Sequence, residues 1–237
     1  MKILVYTASD FSSGAQKCLP LLRDCFIAQD CDFKIVTNKK EYVTGADIIY
    51  DDFKGNFAGL LKYSKNIPRG YDKYIYTDLD VLFFGDVLDL VNTKEYSCVI
   101  EDLPMLSEWF QYPHAEAEHL ERISHLKGFN SGVFSFEDLG FLAAIREAYS
   151  AHVTNNMMKD AQLDQTSLNY ILSKKLGYST EKLYDLASIT QMFADESSYS
   201  AHKKVYHFCG FAKGLETKAQ QMKTFLSNYD HYSTSNI

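Results

Sequence analysis

Along the first third of the chain, short apolar runs alternate with segments of helical period, and no other feature constrains the fold as much. Residues 2–7, Phe33-Lys34-Ile35-Val36-Thr37 and Asp47-Ile48-Ile49-Tyr50 have strand character. Between the first two, Gly14 to about Ala28 repeats apolar residues at Leu19, Leu22, Cys25 and Phe26, a helical spacing. A second helical stretch, Phe57–Lys65, shows a Leu60, Leu61, Ser64 face and stops at Pro68-Arg69-Gly70. Alternation at this spacing predicts an α/β protein with a mainly parallel central sheet covered on both faces. Ligands gather beyond the carboxyl ends of the strands in such sheets.

The next strand-like run carries a chemical signal. Tyr74-Ile75-Tyr76-Thr77 leads into Asp78-Leu79-Asp80, and Val81-Leu82-Phe83-Phe84 follows. An isolated carboxylate is costly to bury in such surroundings, so two acids there call for compensation by a cation. If the triplet continues the strand, positions i and i+2 face one side, so Asp78 and Asp80 present two carboxylates to one point while Leu79 faces the core. Hard oxygen ligands at a strand end suit Mg²⁺ or Mn²⁺, with open positions left for phosphate oxygens. The competing role is a solvated turn in which Asp78 or Asp80 caps the next segment.

Composition narrows the function classes. With 24 basic against 31 acidic residues and a net charge of -7 over 237 residues, the chain lacks the basic excess of a nucleic-acid-binding surface. It opens directly into a strand-like run rather than a signal peptide, and no stretch approaches the roughly 18 apolar residues of a membrane span. The five cysteines (18, 25, 31, 98 and 209) are odd in number and form no Cys-x-x-Cys pair. Reduced thiols and a cytoplasmic location are therefore expected, and structural zinc is not.

Farther on, Tyr96–Ile100 and Gly132–Phe136 have strand character, and Leu139–Ala148 and Leu163–Lys175 are helical by period. Glu101–Gly128 is polar without a clear strand pattern and is expected to form a lid or an acceptor-side insertion; the tail after Asn228 is expected to fray. No repeat or Pro- or Ser-rich linker interrupts the chain, so one domain over 1–237 is expected.

Three further segments join the acidic triplet in a fixed order: Gly128-Phe129-Asn130-Ser131-Gly132-Val133, Leu163-Asp164-Gln165-Thr166, and His207-Phe208-Cys209-Gly210-Phe211-Ala212-Lys213. Together the four pieces resemble the retaining glycosyltransferases of family 8, which include glycogenin and the lipopolysaccharide galactosyltransferases. The resemblance runs from the first strand to about Lys213. It implies a GT-A fold, Rossmann-like and nucleotide-sugar-binding, with a donor-binding part over about 1–100 and an acceptor-side, metal-completing part over about 101–227. It further implies a UDP-sugar donor and Mn²⁺, with Mg²⁺ possible, on Asp78, Asp80 and His207; a nitrogen ligand favours the softer ion.

The resemblance also assigns the remaining roles. Thr7, Ala8, Ser9 and Asp10 occupy the base and ribose segment. Asp78 and Leu79 border the donor, Asn130, Ser131 and Gly132 meet the donor sugar, and Gly210 and Lys213 approach the diphosphate. Asp164 would bind sugar hydroxyls and Gln165 would lie beneath the reacting sugar, with helix capping as the competing role of Asp164. Where the family carries an Arg ahead of the acidic strand, this chain has Leu60, and Lys62 is the substitute. Ser9, Phe11, Thr166 and Gly214-Leu215 also depart from the family pattern.

The activity this implies is hexosyl transfer with retention to a carbohydrate, lipid-linked or protein hydroxyl. Alternatives are an inverting transferase with Glu101 or Asp102 as base, a non-catalytic nucleotide-sugar-binding protein, and, given the 17 tyrosines, a self-glycosylating protein.

Overall fold

The structure is a computed structural model that describes residues 1–53, 58–106, 115–154, 160–210 and 214–234. Its strands are β1 (Ile3–Ala8), β2 (Asp32–Thr37), β3 (Ile48–Tyr50), β4 (Lys73–Thr77), β5 (Val81–Phe83), β6 (Tyr96–Pro104), β7 (Lys127–Phe136), β8 (Leu183–Asp185), β9 (Thr190–Met192) and β10 (Val205–His207). The helices are α1 (Ser13–Asp24), α2 (Ala117–Ile123), α3 (Gly140–Thr154), α4 (Asp160–Lys175) and α5 (Leu215–Thr234).

A large sheet runs in the order β3-β2-β1-β4-β7-β6-β8. Its β3-β2, β2-β1, β1-β4 and β6-β8 pairs are parallel, and β7 runs antiparallel to both neighbours. The mainly parallel sheet is therefore present, with one reversed strand, β7, between β4 and β6. A small sheet, β5-β10-β9, lies apart from it.

Two apolar clusters fill the two sides of the large sheet. One gathers Leu4, Tyr6, Tyr74, Tyr76, Phe134 and Phe136 with α3 and α4 residues such as Phe141, Ile145, Leu168 and Leu172. The other gathers Ile3, Val5, Ile75 and Val133 with Leu22 of α1 and Met222 and Phe225 of α5. The odd and even positions of β1 and β4 divide between these clusters, as a strand buried on both faces requires.

Four expectations need correction. Asp78-Leu79-Asp80 is not strand: β4 ends at Thr77, and the triplet forms the turn into β5. The chain passes there from the large sheet to the small one, the Asp78 backbone bonding to β7 and the Asp80 backbone to the residue after β10. The polar stretch after Ile100 is partly regular, since β6 continues to Pro104, α2 spans Ala117–Ile123 and β7 begins at Lys127. Alternation is obscured in β6 because its pairing with β7 shifts register twice. Residues 107–114, including Trp109, lie outside the described residues. Helix α5 carries on past Asn228 to Thr234, its buried Ala219, Met222 and Phe225 packing against the second cluster. Residues 58–63 form a 3-10 segment rather than an α-helix, and Phe57 lies outside the described residues.

Candidate functional site

Two hydrogen-bonded ladders bring the separated motifs together. In the large sheet Thr77 sits opposite Val133, and the Asp78 amide continues that ladder by donating to the Gly132 carbonyl at 2.7 Å. This sets Asn130-Ser131-Gly132 beside the acidic turn. In the small sheet His207 sits opposite Val81, and the Phe208 amide donates to the Asp80 carbonyl at 2.9 Å. Asp78, Asp80 and His207 thereby converge, one ligand atom of each lying within 4.8 Å of the others. They form the group of this kind among the described residues.

The position of His207 depends on a missing side chain. A Cβ on Gly132 would lie 2.2 Å from His207 Cε1 and 2.8 Å from Nδ1, so the imidazole fills the space that glycine leaves. His207 Nε2 lies 3.4 Å from Asp80 Oδ1 and 3.8 Å from Asp78 Oδ2. Nδ1 is buried with no hydrogen-bond partner among the described residues.

Two lysines hold the outer oxygens of the acids. Lys62 is nearly fully buried, with Nζ 2.5 Å from Asp164 Oδ2, 3.5 Å from Asp78 Oδ1 and 3.3 Å from Ser131 Oγ. Burial alone would pull its pKa down, and the two carboxylates outweigh that and raise it. Tyr76 donates its hydroxyl to Asp78 Oδ1 at 2.6 Å. From the far end of the chain, Lys218 reaches Asp80 Oδ2 at 2.6 Å. The two acids shift in opposite directions: burial holds the Asp78 pKa above the usual carboxylate value, whereas His207 and Lys218 overcome burial at Asp80 and hold it low.

This donor set suits a divalent cation. Each carboxylate turns its lysine-free oxygen toward the imidazole nitrogen, so three ligand atoms face one point.

A second polar group adjoins the first. Helix α4 is clamped to β7 by Asn169, whose side chain donates to the Phe129 carbonyl and accepts from the Phe129 amide, both at 2.7 Å. The clamp holds Asp164 and Gln165 against β7, where Ser131 Oγ donates to Asp164 Oδ2 at 3.1 Å and the Ser131 amide donates to Gln165 Oε1 at 3.3 Å. Asp164 lies four residues inside α4, which begins at Asp160, so it does not cap that helix. Glu101 accepts from Asn130 Nδ2 at 2.8 Å and from Gln165 Nε2 at 3.2 Å, so one carboxylate fixes the orientation of both amides. Asp102 instead faces solvent and pairs with Lys127 at 2.8 Å.

The remaining candidates fall into three groups. Thr7, Ala8, Ser9 and Asp10 emerge from the same sheet edge as Asp78, because β1 and β4 are parallel with Tyr6 opposite Tyr76. There the buried Thr7 hydroxyl has no partner among the described residues, Ser9 Oγ accepts from the Phe11 amide and Asp10 Oδ1 accepts from the Ser12 amide. Leu79 is core, and Gly210 follows His207 at φ +133°, a conformation that favours glycine. Lys213 lies outside the described residues, as do Phe211 and Ala212.

Sequence reasoning missed Lys218, which belongs to no motif, and Tyr76, whose ring lies in the core and whose hydroxyl serves the site.

No family model and no curated protein sequence matches the chain. Among solved structures, the chain is similar to the galactosyltransferase LgtC in complex with donor and acceptor sugar analogues. Identity is 16%, 96% of this chain and 94% of that chain are covered, and the TM-score is 0.50. The fold is GT-A. At that identity the likeness speaks for architecture, and the chemistry must come from the site.

Proposed function

We propose that the protein is a metal-dependent glycosyltransferase that moves a hexose from a UDP-sugar to an acceptor hydroxyl with retention, acting as one domain over 1–237. The observation that carries this is the convergence of Asp78, Asp80 and His207 beside Asp164, Gln165 and Asn130-Ser131-Gly132 on a GT-A sheet. LgtC, solved with donor and acceptor sugar analogues, lends support to a sugar-nucleotide donor. Asp78, Asp80 and His207 would hold the ion, Mn²⁺ by donor set with Mg²⁺ as the alternative. When bound, such an ion neutralises a diphosphate and makes it a better leaving group.

The protein side chains then have distinct tasks. Thr7–Asp10 receive the uridine, and Gly210 with Lys213 approach the diphosphate. Lys62, with Ser131, fixes the Asp164 carboxylate for sugar hydroxyls. Gln165 keeps its carbonyl oxygen toward Ser131 because its amide nitrogen is held by Glu101, and it offers dipolar stabilisation beneath the reacting sugar. A neutral amide is a poor nucleophile, so the acceptor hydroxyl attacks from the face the UDP leaves and passes its proton to the departing diphosphate. Free thiols at all five cysteines support a cytoplasmic setting. Among the described residues no helix is long and apolar enough to cross a membrane.

One observation favours a second reading. Glu101, a carboxylate among the sugar-facing amides, has the placement of a general base for inversion.

The test is Mn²⁺-dependent hydrolysis of UDP-glucose, UDP-galactose and their N-acetyl forms, with product configuration followed by NMR. Activity with one donor, abolished in Asp80→Asn, is expected with the anomeric configuration kept. An inverted product transfers the role to Glu101, and undiminished turnover in Asp80→Asn refutes the metal site. UDP and Mn²⁺ binding without sugar release would mark a non-catalytic binding protein.

A further inference from the structure

We propose that Lys218 is a positioning residue of the cation site: it holds one oxygen of Asp80 so that the other stays turned toward His207. The proposal rests on the cation reading above and adds to it a residue outside all four motifs.

Asp80 has two oxygens with separate partners. Oδ2 lies 2.6 Å from Lys218 Nζ, and Oδ1 lies 3.4 Å from His207 Nε2. Asp78 repeats the pattern, its Oδ1 held by Tyr76 and Lys62 at 2.6 and 3.5 Å while Oδ2 faces the imidazole at 3.8 Å. A carboxylate with both oxygens free would rotate about its Cβ–Cγ bond, and a ligand that must be reoriented costs affinity. Partners behind a metal ligand remove that freedom.

The fold delivers Lys218 at some cost. Its side chain is only 13% exposed, and immobilising a lysine forfeits about 1.5–2 kcal/mol of rotamer freedom. Lys223 on the same helix stays exposed. The start of α5 is pinned to α1 at Gly14, where a Cβ would come within 2.5 Å of Leu215 Cβ and 2.8 Å of the Glu216 nitrogen. Ser13 Oγ and Lys17 Nζ bind Glu216 Oε1 at 2.5 and 3.0 Å, and Cys18 Sγ contacts the Leu215 carbonyl at 3.5 Å. Three residues after Leu215, Lys218 lies on the same helix face. The helix register, and not a loop, therefore sets the reach of the ammonium to Asp80.

The opposite role is a bare counter-charge, which would repel a divalent ion; its removal would tighten ion binding. The two roles thus predict opposite signs.

The full chain is titrated with Mn²⁺, with and without UDP, and free Mn²⁺ is followed by electron paramagnetic resonance. Wild type, Lys218→Met, Lys218→Gln and Lys218→Arg are compared, with thermal melts to show that each is folded. Second partners of metal ligands are worth about 10–100-fold in affinity, so at least a tenfold loss is expected in Lys218→Met, with partial recovery in Lys218→Arg. Lys218→Gln is read the same way if the methionine variant fails to fold. Unchanged or tighter Mn²⁺ binding in Lys218→Met or Lys218→Gln, with wild-type binding intact, overturns the assignment alone. A folded wild-type chain that takes up no Mn²⁺ overturns the cation reading and this assignment with it.

Discussion

Replacing Lys62 with methionine should be among the costliest single changes at the site, and its cost can be worked out from the contacts. Lys62 and Asp164 side chains are 6% and 8% exposed and meet at 2.5 Å. Removing one partner of a buried pair costs about 3–5 kcal/mol, because the other charge stays behind unpaired. The lower end applies here. Asp164 keeps its hydrogen bond from Ser131 at 3.1 Å, and Asp78, 29% exposed, keeps Tyr76 and some water. The expected loss is about 3 kcal/mol, or roughly 6–12 °C in melting temperature for a chain of this size.

Urea unfolding followed by circular dichroism in chelator at pH 7.5 measures it. The sign with pH follows from the raised pKa of Asp78. A carboxylate whose folded pKa lies above its unfolded value penalises folding when ionised, and the penalty fades as pH falls toward the ordinary carboxylate range. Losing the ammonium raises that folded pKa further, so the Lys62→Met deficit should shrink between pH 7.5 and pH 5. Adding Asp164→Asn should recover at least about 1 kcal/mol by removing the stranded charge. A loss under about 1 kcal/mol, or one unmoved by both pH and Asp164→Asn, would mean that no buried charge is stranded when Lys62 is removed.

Two other perturbations test different links. Gly132→Ala places a methyl 2.2 Å from His207 Cε1, so the imidazole must leave its position: Mn²⁺ affinity measured by paramagnetic resonance should fall at least tenfold, with about 1–3 kcal/mol lost to overpacking in urea. Arg146→Met strands the fully buried Asp51, which Arg146 holds at 2.9 Å and Ser64 at 2.6 Å, and should cost about 3 kcal/mol at pH 7. Burial raises the Asp51 pKa, but Arg146 and Ser64 more than offset it, so the net shift is downward. Its stabilising contribution is therefore present above the unfolded value and lost as pH drops below about 4, where wild type and Arg146→Met should converge in urea midpoint.

Much of this molecule is legible in its linear order, for a local reason. Strand-forming runs at Ile3–Tyr6, Phe33–Thr37 and Tyr74–Thr77 declare themselves through apolar side chains on both faces, and helices through their period, because burial acts on each segment separately. The resemblance carried further and named Asp78, Asp80 and His207 together. Register was not legible: the two shifts between β6 and β7 hide the alternation of a strand that runs to Pro104. The turn at Asp78-Leu79-Asp80 was one of two open roles for the triplet, since leaving one sheet for another is decided by partners distant in sequence.

Linear order suffices for the α/β class, the acids that need a counter-charge and the order of the candidate site segments. Which groups meet that need follows from packing. Lys62 was a substitute inferred from a motif, and its pairing with both Asp78 and Asp164 exists because a 3-10 segment, a turn and α4 pack at one point. Lys218 has no motif; it meets Asp80 across 138 positions because a glycine in α1 lets α5 approach closely. Charge compensation falls off steeply with distance in space and takes no account of distance along the chain, so it becomes visible only once the chain is folded.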